Sequence, residues 1–233
     1  MNRANLEWRR AATEFVVIVL GVLVALAIDQ WNNDRLDRLQ EIAIIERLIE
    51  DLETDLERIE FGLSRMPQKK EVLRSLAAAF AVDERPSHPL KFLQDVIAGS
   101  GYGWNQARAQ RTTYEELVGS GRIGIIRNPD IRTLISSYYS FDFGLYSRIA
   151  DRETQYPPLS YQLVPRDAEY ELSSNLSPNQ ASQLVDAVYA SELPRHTIAE
   201  LNLAIFIDEE FSNFRERCLE LTHALDAYLD DIN

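Results

Sequence analysis

The sequence predicts an all-α protein. One N-terminal transmembrane helix continues into a long helix, which packs antiparallel on a long C-terminal helix, with a head of shorter helices between them. Two observations lead to this prediction: an uncharged apolar run at residues 15–28, and two long stretches with apolar residues at helical spacing. Of the 233 residues 45% are apolar, which excludes a disordered chain. The formal net charge of -13 argues against nucleic acid as a partner.

The run at residues 15–28 has the composition of a membrane span. Its 14 residues would form a helix of about 21 Å, and the 18 residues from position 11 one of about 27 Å, against a hydrocarbon core of ~30 Å. Tryptophans flank the run, as they do in interfacial belts. Gly21 and Ala25 form a small-xxx-small step, which permits close helix packing in a bilayer. The predicted anchor residues are Trp8, Phe15, Gly21, Ala25, Ile28 and Trp31.

Three interpretations compete for this segment: a permanent single-pass anchor, a cleaved signal peptide and a buried core helix. A signal peptide would use Arg3, Arg9 and Arg10 as its basic region and the Ala-Leu-Ala of residues 25–27 as its cleavage site. We favour the permanent anchor because the helical pattern continues past Ala27 without a Gly or Pro break. A core helix, in turn, seldom lacks a polar face over such a length.

Charge on the two sides of the span predicts its orientation. Residues 1–10 carry three arginines against one glutamate, whereas residues 29–37 carry three aspartates and one arginine. The basic side stays in the cytoplasm. We therefore expect a short cytoplasmic tail at residues 1–10, a span at residues 11–28 and a periplasmic bulk of the chain. The single cysteine, Cys218, is compatible with that compartment.

A stripe of apolar residues follows the span. Its spacing alternates between three and four, the pattern of coiled-coil-like packing, with charged residues such as Asp55 expected on the other faces. We predict one long helix that ends before Pro67 and has its stalk at residues 29–67. The stripe consists of Ile42, Ile45, Ile49, Leu52, Leu56, Ile59, Leu63 and Met66.

The C-terminal stretch at residues 194–233 carries a similar stripe, and Pro194 suits the first turn of its helix. The economical arrangement packs the two long helices antiparallel, so that the C-terminus returns towards the membrane. Self-association of either helix is the alternative. The stripe consists of Ala204, Ile207, Phe211, Phe214, Cys218, Leu221, Leu225, Tyr228 and Ile232.

The head, residues 68–193, is predicted to contain shorter helices. Thr112 and Thr113 precede two glutamates at capping-box spacing, and Asn128 and Ser177 each precede a proline, which marks a capped helix start. Helices are expected at residues 68–82, 90–98, 112–118, from 129 onward and at 179–191. The proline-rich residues 156–175 are expected to form a loop.

The motifs with chemical potential are weak. The G-x-G-x-x-G at residues 119–124 lacks the preceding strand that a dinucleotide site needs, so we interpret it as a helix end followed by a Gly-rich connection. Glu220 and His223 have di-iron spacing but no second pair, and a pairing of His196 with Glu200 is ordinary for a helix surface. Cys218 lies on an apolar stripe, as an inert thiol does. We expect no enzyme activity, no metal and no cofactor.

A cluster of arginines stands out in this acidic chain, with Tyr102, Trp104 and Tyr114 nearby. One interpretation is a patch for docking or anion binding. The other is intramolecular pairing of the arginines with the acidic stalk, and we favour this second interpretation. The aromatic residues at 138–146 are expected mainly in the core. The cluster consists of Arg108, Arg111, Arg122, Arg127 and Arg132.

Two segments carry a resemblance to a known family. Residues 25–32 read Ala-Leu-Ala-Ile-Asp-Gln-Trp-Asn after Gly21, and residues 113–117 read Thr-Tyr-Glu-Glu-Leu, followed by Ser120-Gly121, Asn128 and Tyr138-Tyr139. In these segments the chain resembles a family of single-pass bacterial membrane proteins of unknown function. The resemblance implies a membrane-anchored helical domain at a bacterial inner membrane and implies no activity.

Together these features predict a scaffold or accessory subunit that acts by protein–protein contact in an inner-membrane assembly. Its expected partners are the lipid bilayer and other membrane-protein subunits or a second copy of the chain. The alternative is a periplasmic ligand-sensing domain on the same anchor, with a pocket between residues 108–132 and the aromatic helix that follows.

Overall fold

A computed structural model of the chain describes residues 3–82, 84–101 and 108–232, with side chains from Phe15 onward except at positions 16, 143 and 146. Within these ranges the protein is helical and has no β-strand, only an isolated antiparallel bridge between Arg166 and Leu172. In chain order the helices are α1 (Arg3–Val82), α2 (Pro89–Ser100), α3 (Thr112–Gly119), a 3-10 helix (Arg122–Ile125), α4 (Pro129–Ala150), α5 (Tyr156–Leu163), α6 (Pro178–Ala190) and α7 (Leu193–Ile232).

The two long helices pack antiparallel, as predicted. Lys69 of α1 contacts Glu200 near the start of α7, and Glu41 of α1 contacts Tyr228 near the end of α7. Residue numbers therefore fall along α1 as they rise along α7. The interface between the two helices forms the spine of the domain, and the shorter helices pack around it.

The predicted end of the first helix before Pro67 is wrong, because α1 continues to Val82 with Pro67 inside it. A proline removes one backbone hydrogen bond and crowds the preceding turn. Packing compensates here, since Lys69, Leu73 and Leu76 beyond the proline are all buried. The Pro67 ring itself points to the exposed side of the helix. Residue 67 is thus not a helix end.

The buried line on α1 is also shifted from the predicted one. Ile45, Leu52, Ile59 and Met66 are buried as expected, but the other predicted members are only partly buried. Asp55, predicted on an exposed face, is 1% exposed. We call the observed set the α1 stripe; it consists of Glu41, Ile45, Leu48, Leu52, Asp55, Ile59, Met66, Lys69, Leu73 and Leu76.

Two apolar clusters fill the domain. The larger lies between α1, α3, α4 and α7 and contains Tyr138 and Tyr139, as expected for the aromatic stretch. The smaller lies where the end of α1 meets α2, α5, α6 and the start of α7. The side chains of Phe143 and Tyr146 lie outside the described residues.

Helix starts confirm some capping predictions and correct others. The Asn128 side chain accepts hydrogen bonds from two backbone N–H groups of α4, and Ser177 forms a capping box with Gln180 at α6. The predicted Thr112/Thr113 cap is wrong, because Arg111 occupies the N-cap position of α3 and makes no side-chain cap.

The predicted loop at residues 156–175 contains a helix, α5, and this part of the prediction is wrong. Two prolines occupy its first turn, where the missing N–H groups would have no helical partner. Tyr156 anchors the helix, since its ring is buried and its hydroxyl donates to the Val96 carbonyl of α2 (3.1 Å).

Candidate functional site

The apolar segment at the start of α1 is exposed on all sides. The helix Val17–Val82 is long and apolar enough to cross a membrane, and its apolar window packs against no other part of the described chain. Phe15, Ile28 and Trp31 are 67%, 61% and 65% exposed. The interpretation as a buried core helix is therefore wrong. The Trp8 side chain lies outside the described residues.

Glycine and alanine in this segment leave its surface open. A Cβ placed on Gly21 would meet no atom within 4 Å, and Ala25 is exposed as well. The small-xxx-small step therefore faces away from the folded domain. It is available to lipid or to another helix.

Charged residues interrupt the α1 stripe at positions 41, 55 and 69, which are separated by two heptads each. Glu41, Asp55 and Lys69 are at most 5% exposed. A buried charge is tolerated only when it is paired or hydrogen-bonded. Each of the three accordingly binds a different part of the fold to α1.

Glu41 joins three elements at the end of the domain nearest the apolar segment of α1. Its carboxylate accepts hydrogen bonds from Arg38 Nη1 (2.9 Å), from the backbone N–H of Arg127 (2.7 Å) and from the Tyr228 hydroxyl (2.6 Å). Burial together with the Glu41 carboxylate raises the pKa of Tyr228. The contact fixes the C-terminal end of α7 beside the point where α1 leaves the domain.

Asp55 holds the segment before α3 against the middle of α1. Its Oδ1 accepts from the backbone N–H of Gln110 (2.6 Å), and its Oδ2 accepts from the Tyr138 hydroxyl (2.8 Å). Burial raises the pKa of Asp55 to about 6, since it outweighs these hydrogen bonds and the nearby Arg58. The negative charge of Asp142 on α4 also raises the pKa of Asp55.

Lys69 forms a buried ion pair between α1 and α7. Its Nζ lies 2.6 Å from Glu200 Oε1, and the side chains are 5% and 2% exposed. Thr154, in the connection before α5, donates its hydroxyl to the other oxygen of Glu200. The predicted surface pairing of His196 with Glu200 is therefore wrong, because Glu200 points into the core.

Arg122 and Arg127 of the arginine cluster contact α1 through their side chains. Arg122 Nη2 donates to Gln40 Oε1 (2.7 Å), and Arg127 Nη2 lies 3.8 Å from Asp34 Oδ1. Both contacts hold the connection between α3 and α4 against the exposed first part of the stalk. Their geometry is that of intramolecular pairing with an acidic helix.

The other three clustered arginines lie near α4 or at the segment before α3. Arg111 Nη1 donates to Asp142 Oδ2 (3.1 Å), and Arg132 Nη1 donates to the Ile126 carbonyl (2.6 Å). The carbonyl of Arg108 accepts from the stalk arginine Arg58 (3.3 Å). A docking role for the cluster stays a prediction. Tyr102 and Trp104, expected beside it, lie outside the described residues.

The pocket expected between residues 108–132 and α4 is largely filled. Tyr114 stacks on Tyr139 with ring centroids 4.2 Å apart, and both Tyr138 and Tyr139 are buried. A cavity of about 20 Å³ beside Arg122 lies between α1 and α3, not against α4, and suffices for one water.

A larger cleft lies elsewhere, between α1, α2, α5 and the turn after α5, with a volume of about 800 Å³. Its wall contains Lys69, Tyr161 and Arg166. Arg166 could not be singled out from the sequence, because no motif surrounds it and its partners Ser100 and Ser160 belong to other elements.

The structure places the remaining motifs in a turn and on a buried helix face. Gly121, with φ of 69°, lies in a turn between α3 and the 3-10 helix, so the Gly-rich segment is a helix end as predicted. Cys218 is buried, its thiol donates to the Leu52 carbonyl (3.4 Å), and burial raises its pKa to about 11. Within the described residues no group of His, Cys, Asp and Glu could hold a metal ion.

Over the residues that the structure describes, these features define an all-helical protein with one helix able to cross a membrane. No family model, no curated protein and no solved structure matches the chain.

Proposed function

We propose that the protein is a single-pass protein of the bacterial inner membrane whose helical domain acts by protein–protein contact, as a scaffold or accessory subunit of a membrane assembly. The observation that carries the proposal is the continuity of α1. A single helix contains the exposed apolar segment and, further along, the α1 stripe on which the domain is built.

Exposure on every face of the apolar segment favours lipid as its surroundings. Ten large apolar side chains between Phe15 and Ile28 are exposed. A partner helix would cover one side of such a segment, whereas a bilayer covers all sides. At ~25 cal/mol per Å² of apolar surface, leaving these side chains in water would cost many kcal/mol.

The stretch between the span and the domain supports a role in contact. Residues 29–40 continue α1 for about 18 Å, and the buried Glu41 that follows contacts Tyr228 of α7. Leu36 and Leu39 in this stretch are 48% and 53% exposed. They offer apolar surface near the bilayer, within reach of a neighbouring membrane subunit or a second copy of the chain.

Charge supports the N-in orientation. The arginines before the span favour the cytoplasmic side. The net charge of -13 resides mainly in the domain, which anionic lipid headgroups would repel. A rigid helix that separates an acidic domain from the bilayer suits a periplasmic location.

Alkaline carbonate extraction and protease protection test the membrane placement. The full-length protein should stay in the pelleted membrane after carbonate treatment. Protease added to spheroplasts should cleave the domain, and the same treatment of intact cells should not. Release by carbonate would contradict the anchor, and protection in spheroplasts would contradict the orientation.

Site-specific photo-crosslinking in the native membrane tests the contact role. A photoreactive residue at Leu39 should give a discrete adduct that mass spectrometry identifies as another membrane protein or a second copy. The same residue at Glu216, an exposed position on α7, serves as the control. Migration as a lone monomer after crosslinking at Leu39, Leu36 and Trp31 would contradict the proposal.

A further inference from the structure

The cleft at the end of the domain distant from the span is formed by four elements. Gln68 and Lys69 of α1 form its floor together with residues of α2, and Tyr161 of α5 lies at its wall. The turn that follows α5 completes it. The volume of about 800 Å³ lies in the range of small-molecule sites.

Arg166 is fixed in this cleft by contacts that leave its charge uncompensated. Its Nη2 donates to the hydroxyls of Ser100 (2.8 Å) and Ser160 (2.7 Å), and its guanidinium stacks 3.9 Å from the ring centroid of Tyr161. No carboxylate lies within ion-pair distance among the described residues. Its Nε is buried and has no hydrogen-bond partner there. Burial lowers the pKa of Arg166.

An unpaired, partly buried guanidinium is costly to the fold. Neutral serine hydroxyls orient it without neutralising it. Such an arrangement leaves the N–H groups of Arg166 Nη1 for an anion, and a carboxylate oxygen is a strong acceptor for them. The stability lost in the free protein is regained when the anion binds.

The other charges of the cleft restrict which anion fits. Lys69 is neutralised by Glu200, and Lys91 by Asp95. Glu169 and Glu171 also line the cleft and make no ion pair within the described residues. The unpaired charges of the cleft are therefore one cation, Arg166, and these two carboxylates. A dianion such as phosphate would be repelled by the two glutamates, whereas a monocarboxylate with a cationic end would satisfy both signs.

The turn that carries these glutamates is tightly held. The Asp167 carboxylate accepts hydrogen bonds from the backbone N–H groups of Glu169 (2.9 Å) and Glu171 (3.0 Å). Tyr170 between them has φ of 64°, a region that non-glycine residues rarely occupy, and its ring is 68% exposed at the cleft. An exposed aromatic ring beside two carboxylates is a favourable surface for an ammonium group.

We propose that this cleft binds a small zwitterion of the amino-acid or betaine type, with its carboxylate on Arg166 and its cationic end towards Glu169, Glu171 and Tyr170. The site is separate from the membrane segment and from the α1 stretch assigned to protein contact. It therefore stands or fails independently of the scaffold role.

Thermal unfolding of the purified full-length protein in detergent tests the proposal. The zwitterionic probes are the twenty common L-amino acids, glycine betaine and γ-aminobutyrate. Acetate, methylammonium and inorganic phosphate, which carry charge of one sign only, are the one-ended probes. At least one zwitterion should raise Tm saturably and bind in calorimetry, and each one-ended probe should bind at least tenfold more weakly. Binding of no zwitterion, or tighter binding of phosphate, would overturn the assignment.

Variants locate the binding. Arg166→Gln should abolish the Tm shift, and Glu169→Gln with Glu171→Gln should weaken zwitterion binding at least tenfold without weakening acetate binding. Arg195→Gln is the matched control, because Arg195 is 79% exposed and pairs only with Glu192 in its own helix turn. Should Arg166→Gln unfold by circular dichroism, Arg166→Lys replaces it and should weaken binding, since lysine lacks the planar fork. Unchanged affinity in the folded Arg166 variant would overturn the site.

Discussion

Lys69 and Glu200 form an ion pair that is almost completely enclosed between the two long helices, with 2.6 Å between Nζ and Oε1. Thr154 donates to the second carboxylate oxygen, so α1, α7 and the connection before α5 meet at one point. Lys69 also lies two residues after Pro67, where α1 would otherwise be expected to end. The ion pair thus helps to hold the helix together past its proline.

Replacement of Lys69 by methionine should destabilise the fold strongly. The change leaves Glu200 buried without its counter-ion, which costs about 3–5 kcal/mol of unfolding free energy. For a chain of this size Tm should fall by about 6–20 °C. Circular dichroism of the detergent-solubilised protein measures the shift.

The neighbouring residue provides a matched control for Lys69. Lys70 pairs with Asp208, but those side chains are 18% and 28% exposed, so Lys70→Met should cost about 1 kcal/mol or less. The double variant Lys69→Met/Glu200→Leu should recover most of the loss, because an apolar pair has no unpaired charge. Equal effects at positions 69 and 70 would contradict the role given to burial.

Asp55 should make the stability of the protein depend on pH. Its pKa is raised from 3.8 to about 6 by burial, so the folded state binds an extra proton between these values. The stabilisation of the fold by protonated Asp55 is complete below pH 3.8 and is lost as the pH rises through about 6. The cost of ionised Asp55 at neutral pH is then about 3 kcal/mol.

Asp55→Asn removes this titration and leaves the hydrogen-bonding shape similar. At each pH the unfolding free energy of the variant is compared with that of the unmodified protein. This difference should shift by about 2 kcal/mol in favour of the variant from pH 4.5 to pH 7.5. Urea unfolding of both proteins at the two pH values measures the difference, in which all other titrating groups cancel. Tyr138→Phe removes a donor to the ionised carboxylate and should move the transition to higher pH. A difference that is constant with pH would show that Asp55 is not perturbed.

The sequence predicted the parts of this fold that depend on short-range patterns. The α7 stripe recurs every three or four residues and is buried from Ala204 to Leu225, and half of the stripe predicted on α1 is buried. The Asn128 and Ser177 caps bond to backbone groups within three residues. The continuation of α1 past Pro67 could not be predicted, because propensity argues against it. It depends on the packing of Lys69, Leu73 and Leu76 against segments distant in the chain.

Long-range partners likewise explain why the polar sites were missed. In the sequence Asp55 resembles any other charged stalk residue. Its hydrogen-bond partners, Gln110 and Tyr138, lie 55 and 83 positions away in the chain. Arg166 becomes distinctive only beside Ser100, which lies on α2. The exposed apolar segment at residues 15–28, by contrast, depends on local composition alone and could be identified from the sequence.

A close approach between helices should make Gly62 irreplaceable. A Cβ at this position would lie 2.7 Å from Cε2 of Phe211, whose ring is buried between α1 and α7. Alanine has the higher helix propensity, but the clash should dominate and lower the unfolding free energy by about 1–3 kcal/mol. Gly144→Ala is the control within α4, since its Cβ would meet only the movable end of Arg148. That variant should be neutral or slightly stabilising in the same thermal unfolding experiment.

A pair of arginine substitutions separates lipid from water as the environment of α1. Val22 and Leu39 are 54% and 53% exposed, so in water an arginine would be tolerated equally at either position. In a bilayer, however, Val22 lies near the middle of the span, where arginine costs about 2.5–3.5 kcal/mol, while Leu39 lies beyond the headgroups. Val22→Arg should therefore lower the carbonate-resistant fraction of the protein, and Leu39→Arg should leave it unchanged. Equal extraction of both variants would mean that lipid does not surround residues 15–28, because no other difference in exposure distinguishes the two positions.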